Sequence, residues 1–287
     1  MAHIELHVHP FFGRNTLSDV VEAMNKKGLD VLALESLDDT LYYQVLQEAN
    51  NHYPNSTHDN AGIRLPNGKY LLNAREYNTR ENLHVLTVGY SLDDATPQTE
   101  IRRVIDTGLS HGALVLLNHP FVDIGKTKTA GHISDGLAQE LDKICKEYNG
   151  QIALEWNGYC PNWWRKVIRN VSVNVLQNSV ILGLSSSMSK HPYDNSIGTL
   201  FELPHTLGRH PIDYYDVNQK AEELSTRLKK QGYVVPIVAD TDLHARNRRH
   251  LLAMGNSRII TGIEGGSASE VGASMKQNIF RGEYENG

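Results

Sequence analysis

Apolar residues along this chain alternate between short buried runs and helical stripes, and the alternation begins at the N-terminus. His3-Ile4-Glu5-Leu6-His7-Val8-His9-Pro10 reads as a short strand. Side chains at i and i+2 of a strand share a face, so His7 and His9 point to one place, and Pro10 ends the strand just beyond them. From Thr16 to Lys27 the apolar positions Leu17, Val20, Val21 and Met24 form one helical stripe, with Gly28 as its C-cap. Val31-Leu32-Ala33-Leu34-Glu35 is a near-continuous apolar run, as expected of a strand buried on both faces. A second helix is predicted over residues 40–50. Residues 51–68, scattered with Asn, Pro, Asp and Gly, read as a long loop or excursion.

Strands are predicted at 70–76 and 83–90, and a helix at 98–109. The order then becomes regular: strand 113–118, helix 137–148, strand 151–155, a helix from about Asn162, strand 180–184, helix 221–231 stopped by Gly232, and strand 234–239. A strand at 258–261 and a helix at 268–280 close the chain. Residues 186–214 lack periodicity and read as a large loop covering one face. With no repeat, low-complexity tract or linker, residues 1–287 read as a single domain. Repeated strand-then-helix units predict a parallel α/β sheet, and about seven of them favour a closed barrel over an open sheet. An open dinucleotide-binding sheet is disfavoured because no Gly-x-Gly-x-x-Gly follows the first strand.

Composition narrows the classes. The 287 residues are 40% hydrophobic and 21% charged, ordinary for a soluble protein. A formal net charge of -5 argues against stable nucleic-acid binding, though not against a nucleotide or short oligonucleotide as substrate. Cys145 and Cys160 are too few for a disulfide framework and lack Cys-x-x-Cys or zinc-ribbon spacing, so buried free thiols in a reducing compartment are expected. No apolar run approaches the ~20 residues of a membrane span. The N-terminus lacks a signal-peptide plan, and a cytoplasmic location is expected.

Candidate chemistry sits at the predicted strand ends: His7 and His9; Glu76; His84; His119 in Asn118-His119-Pro120; Glu155; and Asp242 with His244. Functional residues of α/β barrels gather at such ends. The set is rich in imidazole and carboxylate and contains no thiolate, which suits zinc, manganese or iron rather than calcium or magnesium. A carboxylate such as Glu76 can bridge two ions ~3.5–4 Å apart. Asp240 shares a strand face with Asp242 and reads as an orienting partner or a cap.

These motifs, taken in order from His7 to His244, resemble the PHP (polymerase and histidinol phosphatase) superfamily of metal-dependent phosphoesterases. His7-Val8-His9 is similar to the opening His-x-His of that family, and Ala74-Arg75-Glu76 to its Gly-x-Glu, with Ala for Gly. His84-Val85-Leu86, His119-Pro120 and Asp242-Leu243-His244 resemble its later elements. The resemblance implies a distorted (β/α)7 TIM-like barrel whose two- or three-metal centre lies at the C-terminal ends of the strands and hydrolyses phosphate esters. It implies His7, His9, Glu76 and Asp242 for one metal, and Glu76, His84 and His119 for another. Glu35-Ser36-Leu37 stands where the family has Thr-Asp-His, and Phe11-Phe12-Gly13-Arg14-Asn15 lacks a further family histidine. Of the third-metal histidines only His244 is matched, so a binuclear centre is expected, with Glu35 a candidate substitute ligand. The segment Ser185-Ser186-Ser187-Met188-Ser189-Lys190-His191 competes with Asp242 and His244 for the last position.

The expected mechanism is attack by a metal-activated water on phosphorus, in a phosphorylated small molecule or nucleotide. Asp242 and His244 serve catalysis, His244 or His191 protonates the leaving oxygen, and Arg75, Arg246, Arg248 and Arg249 are candidate phosphate contacts. Glu155 reads either as a metal ligand or as a partner that orients a ligand histidine. Two alternatives stay open: an amidohydrolase-like enzyme cleaving a C–N or lactone bond, and a metal-binding protein whose catalysis has decayed.

Overall fold

A computed structural model describes residues 1–11, 14–35, 39–90, 99–123, 131–157, 214–245, 248 and 250–287. The expected helix from Asn162, the strand at 180–184 and most of the 186–214 loop lie outside these residues. So do Leu37, His191, Arg246 and Arg249.

The sheet is built from β1 (Ala2–His9), β2 (Val31–Glu35), β5 (Tyr70–Asn78), β6 (His84–Val88), β7 (Leu114–Asn118), β10 (Ile152–Asn157) and β11 (Ile237–Asp240). These pair in the order β11-β10-β7-β6-β5-β2-β1, and β1 continues to β13 (Ile259–Thr261) and β14 (Tyr284–Asn286). A short β12 (Leu243–His244) lies parallel to β1 and nearly closes the barrel. Glu5 on β1 completes the seam, accepting from both the backbone N–H and the hydroxyl of Thr241, just after β11, at 2.7 Å each.

Helices α1 (Leu17–Lys27), α2 (Asp39–His52), α3 (Ile101–Ser110), α4 (Asp135–Glu147) and α5 (Tyr214–Lys230) connect the strands, and α6 (Ala268–Arg281) ends the chain. The start and stop of α1 follow from its sequence. Thr16 and Asp19 cap its first turn reciprocally, and Gly28 takes the left-handed conformation at φ 65°.

Several features depart from a parallel barrel, the antiparallel pairing of β13 with β1 and with β14 among them. β6 runs antiparallel to both β5 and β7. Residues 79–83 that join β5 to β6 are too short for a crossover helix, so the chain can only turn back. The predicted loop at 51–68 also contains β3 (Thr57–Asp59) and β4 (Gly62–Arg64), a hairpin laid against β5. A Cβ on Gly62 would lie 2.2 Å from the Leu71 carbonyl oxygen, so only glycine allows that approach. Two further short strands, β8 (Val122–Asp123) and β9 (Gly131–His132), pair with each other.

Strand alternation sorts the side chains into layers. Val31 and Ala33, Leu72 and Ala74, Leu86 and Val88, Leu114 and Leu116, Ala153 and Val238 meet in one apolar interior cluster. Their neighbours Leu32, Leu34 and Leu71 pack outward with α1 and α2, while Val85, Val115, Ile152 and Leu154 pack outward with α3, α4 and α5. Helix α6 adds Ala268, Val271, Met275 and Ile279 to the interior cluster and plugs the end where the parallel strands begin.

On β1 the pairing register with β2 shifts between Glu5 and Val8. The extra residue changes the phase, so Ile4 and Leu6 join the interior cluster below while His7 and His9 turn inward above. The next inward position after the apolar layer is Glu35 on β2, Glu76 on β5, His84 on β6, Asn118 on β7, Glu155 on β10 and Asp240 on β11. The barrel is therefore apolar at one end and densely polar at the other.

Candidate metal centre

Two groups of donor atoms converge at the polar rim. In the first, the Nε2 atoms of His7 and His9 lie 3.0 Å apart. Asp242 Oδ1 is 3.5 Å from the first and 3.4 Å from the second, and the two oxygens of Glu76 lie 3.8 and 3.7 Å away. In the second group, Glu76 Oε1 is 2.7 Å from His84 Nδ1 and 3.4 Å from His119 Nε2, and those two nitrogens are 3.3 Å apart. Glu76 belongs to both.

His84 reaches this rim from the start of its strand because β6 runs backwards: it pairs with Asn78 at the end of β5 and with Asn118 at the end of β7. The parallel pairing of His9 with His244 brings the latter alongside, their rings stacked with centroids 4.1 Å apart. His9, Asp242 and His244 make a third group of ligand-type atoms. The His244 side chain is 44% exposed, against 5% for His9, and is the group's face to solvent.

The atoms behind the donors fix their chemistry. Glu155 Oε1 lies 2.8 Å from His7 Nδ1, and Glu35 Oε2 lies 2.8 Å from His9 Nδ1. In the tautomer whose Nδ1–H is directed to Glu155, His7 turns its Nε2 lone pair toward His9 Nε2, while Glu35 stands near His9 Nδ1 as a charge partner without hydrogen-bond geometry. Two lone pairs at 3.0 Å repel unless a cation or proton lies between them. Bonds of ~2.0–2.1 Å to a tetrahedral ion would place neighbouring donors ~3.4 Å apart, and the first group spans that value. Asp242 Oδ1, buried beside them, has no hydrogen-bond donor among the described residues. A divalent transition metal fits this donor set.

Amides hold the acids. Asn118 Nδ2 donates to Glu76 Oε1 at 3.0 Å, and Asn157 Nδ2 donates to Asp242 Oδ2 at 3.1 Å. Asn157 is held in turn by Asn218 of α5, which accepts its backbone N–H at 3.0 Å and donates to its carbonyl at 2.8 Å. His119 and Asp242 both carry positive φ, 28° and 46°. Such backbone strain in non-glycine residues gathers at functional sites.

The electrostatics follow from burial set against mutual pairing. Burial works to raise the pKa of Glu76, but the imidazoles of His84, His119 and His7 pull it well below the carboxylate range. Burial opposes a charge on His119, yet Glu76, Glu155 and Asp242 raise its pKa to about 9. Asp240 is fully buried, and burial together with the neighbouring Glu155 pushes it well above the carboxylate range. Burial also lifts Glu5 to about 7 against the hydrogen bonds from Thr241 and Gly255. The carboxylates favour protons on His7, His9 and His119, and a metal competes with those protons for the same lone pairs.

Of the residues expected from sequence, His7, His9, Glu76, His84, His119, Asp242 and His244 are brought together. Glu35 and Glu155 stand behind His9 and His7, where they orient the imidazoles. Arg75 is directed elsewhere: strand alternation turns it to the face opposite Glu76, where its guanidinium lies 5.3 Å from the Tyr77 ring centroid. Arg248 pairs with Asp19 and Glu22 of α1 on the outer surface. The sequence reading missed Glu5, Asn118, Asn157, Asn218 and Thr241. Asn118 and Asn157 stood in view at strand ends, next to His119 and two residues after Glu155. Asn218 gives no signal, being one polar residue in a polar helix.

No family model and no curated relative matches the chain. Solved structures do, at low identity. PsfC from Pseudomonas syringae aligns with a TM-score of 0.53 at 12% identity, over 96% of this chain and 87% of that one. The lesion-specific endonuclease PfuEndoQ from Pyrococcus furiosus aligns with a TM-score of 0.51 at 13% identity, over 99% of this chain and 57% of that one. A two-domain protein of Bacteroides vulgatus, described as containing a predicted PHP-like metal-dependent phosphoesterase, aligns with a TM-score of 0.52 at 10% identity, over 100% of this chain and 64% of that one. The chain thus spans about three-fifths of the length of the last two. At these identities the likeness is one of fold: the chain, a distorted TIM-like barrel, shares its fold with these proteins.

Proposed function

We propose that this chain is a metal-dependent hydrolase of phosphate esters with a binuclear centre. The observation that carries the reading is the convergence of the His7 and His9 Nε2 atoms, 3.0 Å apart, on Asp242 Oδ1 at 3.5 and 3.4 Å, with a carboxylate near each Nδ1. His7, His9, Glu76 and Asp242 would hold one divalent ion, and Glu76, His84 and His119 the other. When bound, such ions polarise phosphoryl oxygens and activate water near neutral pH.

The chain's own residues do the rest. Glu76 spans both groups with one carboxylate and fixes their separation. Asn157 holds Oδ2 of Asp242 and leaves Oδ1 turned toward the centre, while Asn118 steadies Glu76 through the Oε1 that faces His84 and His119. The apolar layer of Leu72, Leu86, Leu116 and Val238 below it keeps water out and preserves the strength of the charges above. His244, stacked on His9 and half in solvent, is the side chain placed to meet the departing group of a bound ester. A phosphate ester suits this site because its anionic oxygens can answer two adjacent cations.

The test is metal content per chain, measured on wild type and His119→Ala, with hydrolysis of p-nitrophenyl phosphate and of bis(p-nitrophenyl) phosphate on the same samples. About two ions per chain, falling together with hydrolysis in the variant, is the expected result. The relative rates on the two substrates assign a monoester or diester preference. Bound metal with hydrolysis of amides or lactones instead would move the protein to the amidohydrolase-like reading. No uptake of zinc, manganese or iron would remove the site.

A further inference from the structure

Glu155 is fully buried at the inward end of β10. One oxygen lies 2.8 Å from His7 Nδ1, and the other accepts the backbone N–H of His119. His7 belongs to the first donor group and His119 to the second. His119 holds a left-handed backbone at φ 28° directly before Pro120, which has no N–H of its own to anchor the turn. A single carboxylate therefore fixes the ring orientation of one ligand and the backbone of another. We infer that Glu155 is a positioning residue that couples the two metal subsites, so that they form and fill together; this rests on the binuclear reading above.

The chemistry of the two contacts explains why a carboxylate is needed. His7 must carry its proton on Nδ1 if Nε2 is to bind metal, so toward Glu155 it is a donor. The His119 N–H is also a donor. A carboxylate offers an acceptor to each, whereas a carboxamide offers one oxygen and one NH2. In Glu155→Gln, one contact must become donor against donor. If the NH2 faces His7, the ring takes the other tautomer and its metal-facing nitrogen is capped by hydrogen. If the NH2 faces His119, the strained turn loses its anchor. Glu155→Asp keeps both acceptors but is a methylene shorter, and it cannot reach both partners at once.

Two measurements test the coupling. Zinc titration against a chromophoric chelator is expected to show Glu155→Gln and Glu155→Asp weakened ~10–100-fold at both subsites, not one. In metal-free protein, amide exchange at His119 is expected to be slow in wild type and at least ~10-fold faster in Glu155→Ala, which removes both acceptors, the range set by losing a closing hydrogen bond. Should the variants fold poorly, wild type serves: during zinc titration, NMR signals of the His7 ring and the His119 amide should shift at the same equivalents. Loss at one subsite only, unchanged exchange at His119, or stepwise shifts with His7 complete before His119 moves would each overturn the coupling. Absence of zinc uptake by wild type, with fast His119 exchange in Glu155→Ala, would take down the metal reading and leave the clamp standing.

Discussion

Asn157 offers the sharpest check on how the first subsite is held. Its amide donates to Asp242 Oδ2 at 3.1 Å, and the residue is fully buried. Truncation in Asn157→Ala deletes one hydrogen bond to an ionised acceptor, worth ~1.5–3 kcal/mol. Expressed through the orientation of Asp242, that corresponds to a ~10–100-fold loss of zinc affinity, as found for partners of metal ligands elsewhere. Asn157→Asp is nearly isosteric but replaces the donor with a second acceptor. Two charges at that separation repel by ~5 kcal/mol at an effective dielectric of 20, so the pair takes up a proton instead of ionising fully. Asp242 is then compromised as a ligand, and the expected order of zinc affinity is wild type, then Ala, then Asp. The assay is chelator competition at pH 7, with far-UV circular dichroism to establish that all three proteins are folded. A folded Asn157→Asp protein binding zinc as tightly as wild type would refute the assignment of Asp242 as a ligand held by Asn157.

Other consequences are simpler to state. Arg75→Ala should leave zinc affinity within about twofold of wild type, the usual range for a side chain outside such a site, as checked by the same titration. Saturating zinc should raise the melting temperature of the metal-free protein: at a hundredfold excess over Kd each site adds ~2.7 kcal/mol, worth about 4–5 °C for a chain of this length. Calorimetry with and without chelator measures it, and an unchanged midpoint would count against both subsites. Cys145 has no exposure, and burial pushes its thiol to about 12. In a Cys160→Ser background, thiol reagents at pH 8 should therefore leave the native protein unmodified and react only after denaturation, as read by mass spectrometry.

Much of the architecture was legible in the chain because it is local. The apolar run Val31–Leu34, the stripe on α1 with Thr16 and Gly28 at its ends, and the strand ending in Asn118-His119-Pro120 all lie where periodicity places them. The spacing of His7 and His9 was also enough to say that they converge, and the shift of β1 against β2 preserves this by changing the phase below them. Arg75 shows local information passed over: a neighbour of Glu76 on a strand must point the other way, and it does.

What only the tertiary structure decided is which atom meets which. The reversal of β6 turns His84 from a residue at a strand start into a ligand at the same rim as Glu76. His7 and Glu155 are 148 positions apart in sequence, yet their contact decides which imidazole nitrogen is free. Periodicity fixes the face a side chain takes, because backbone geometry repeats over a few residues. The partner across the barrel depends on closure of the whole sheet, and no local pattern encodes that distance. The residue types of the site were therefore written along the chain, while the division between donors that face the centre and acids that stand behind them arose only on folding.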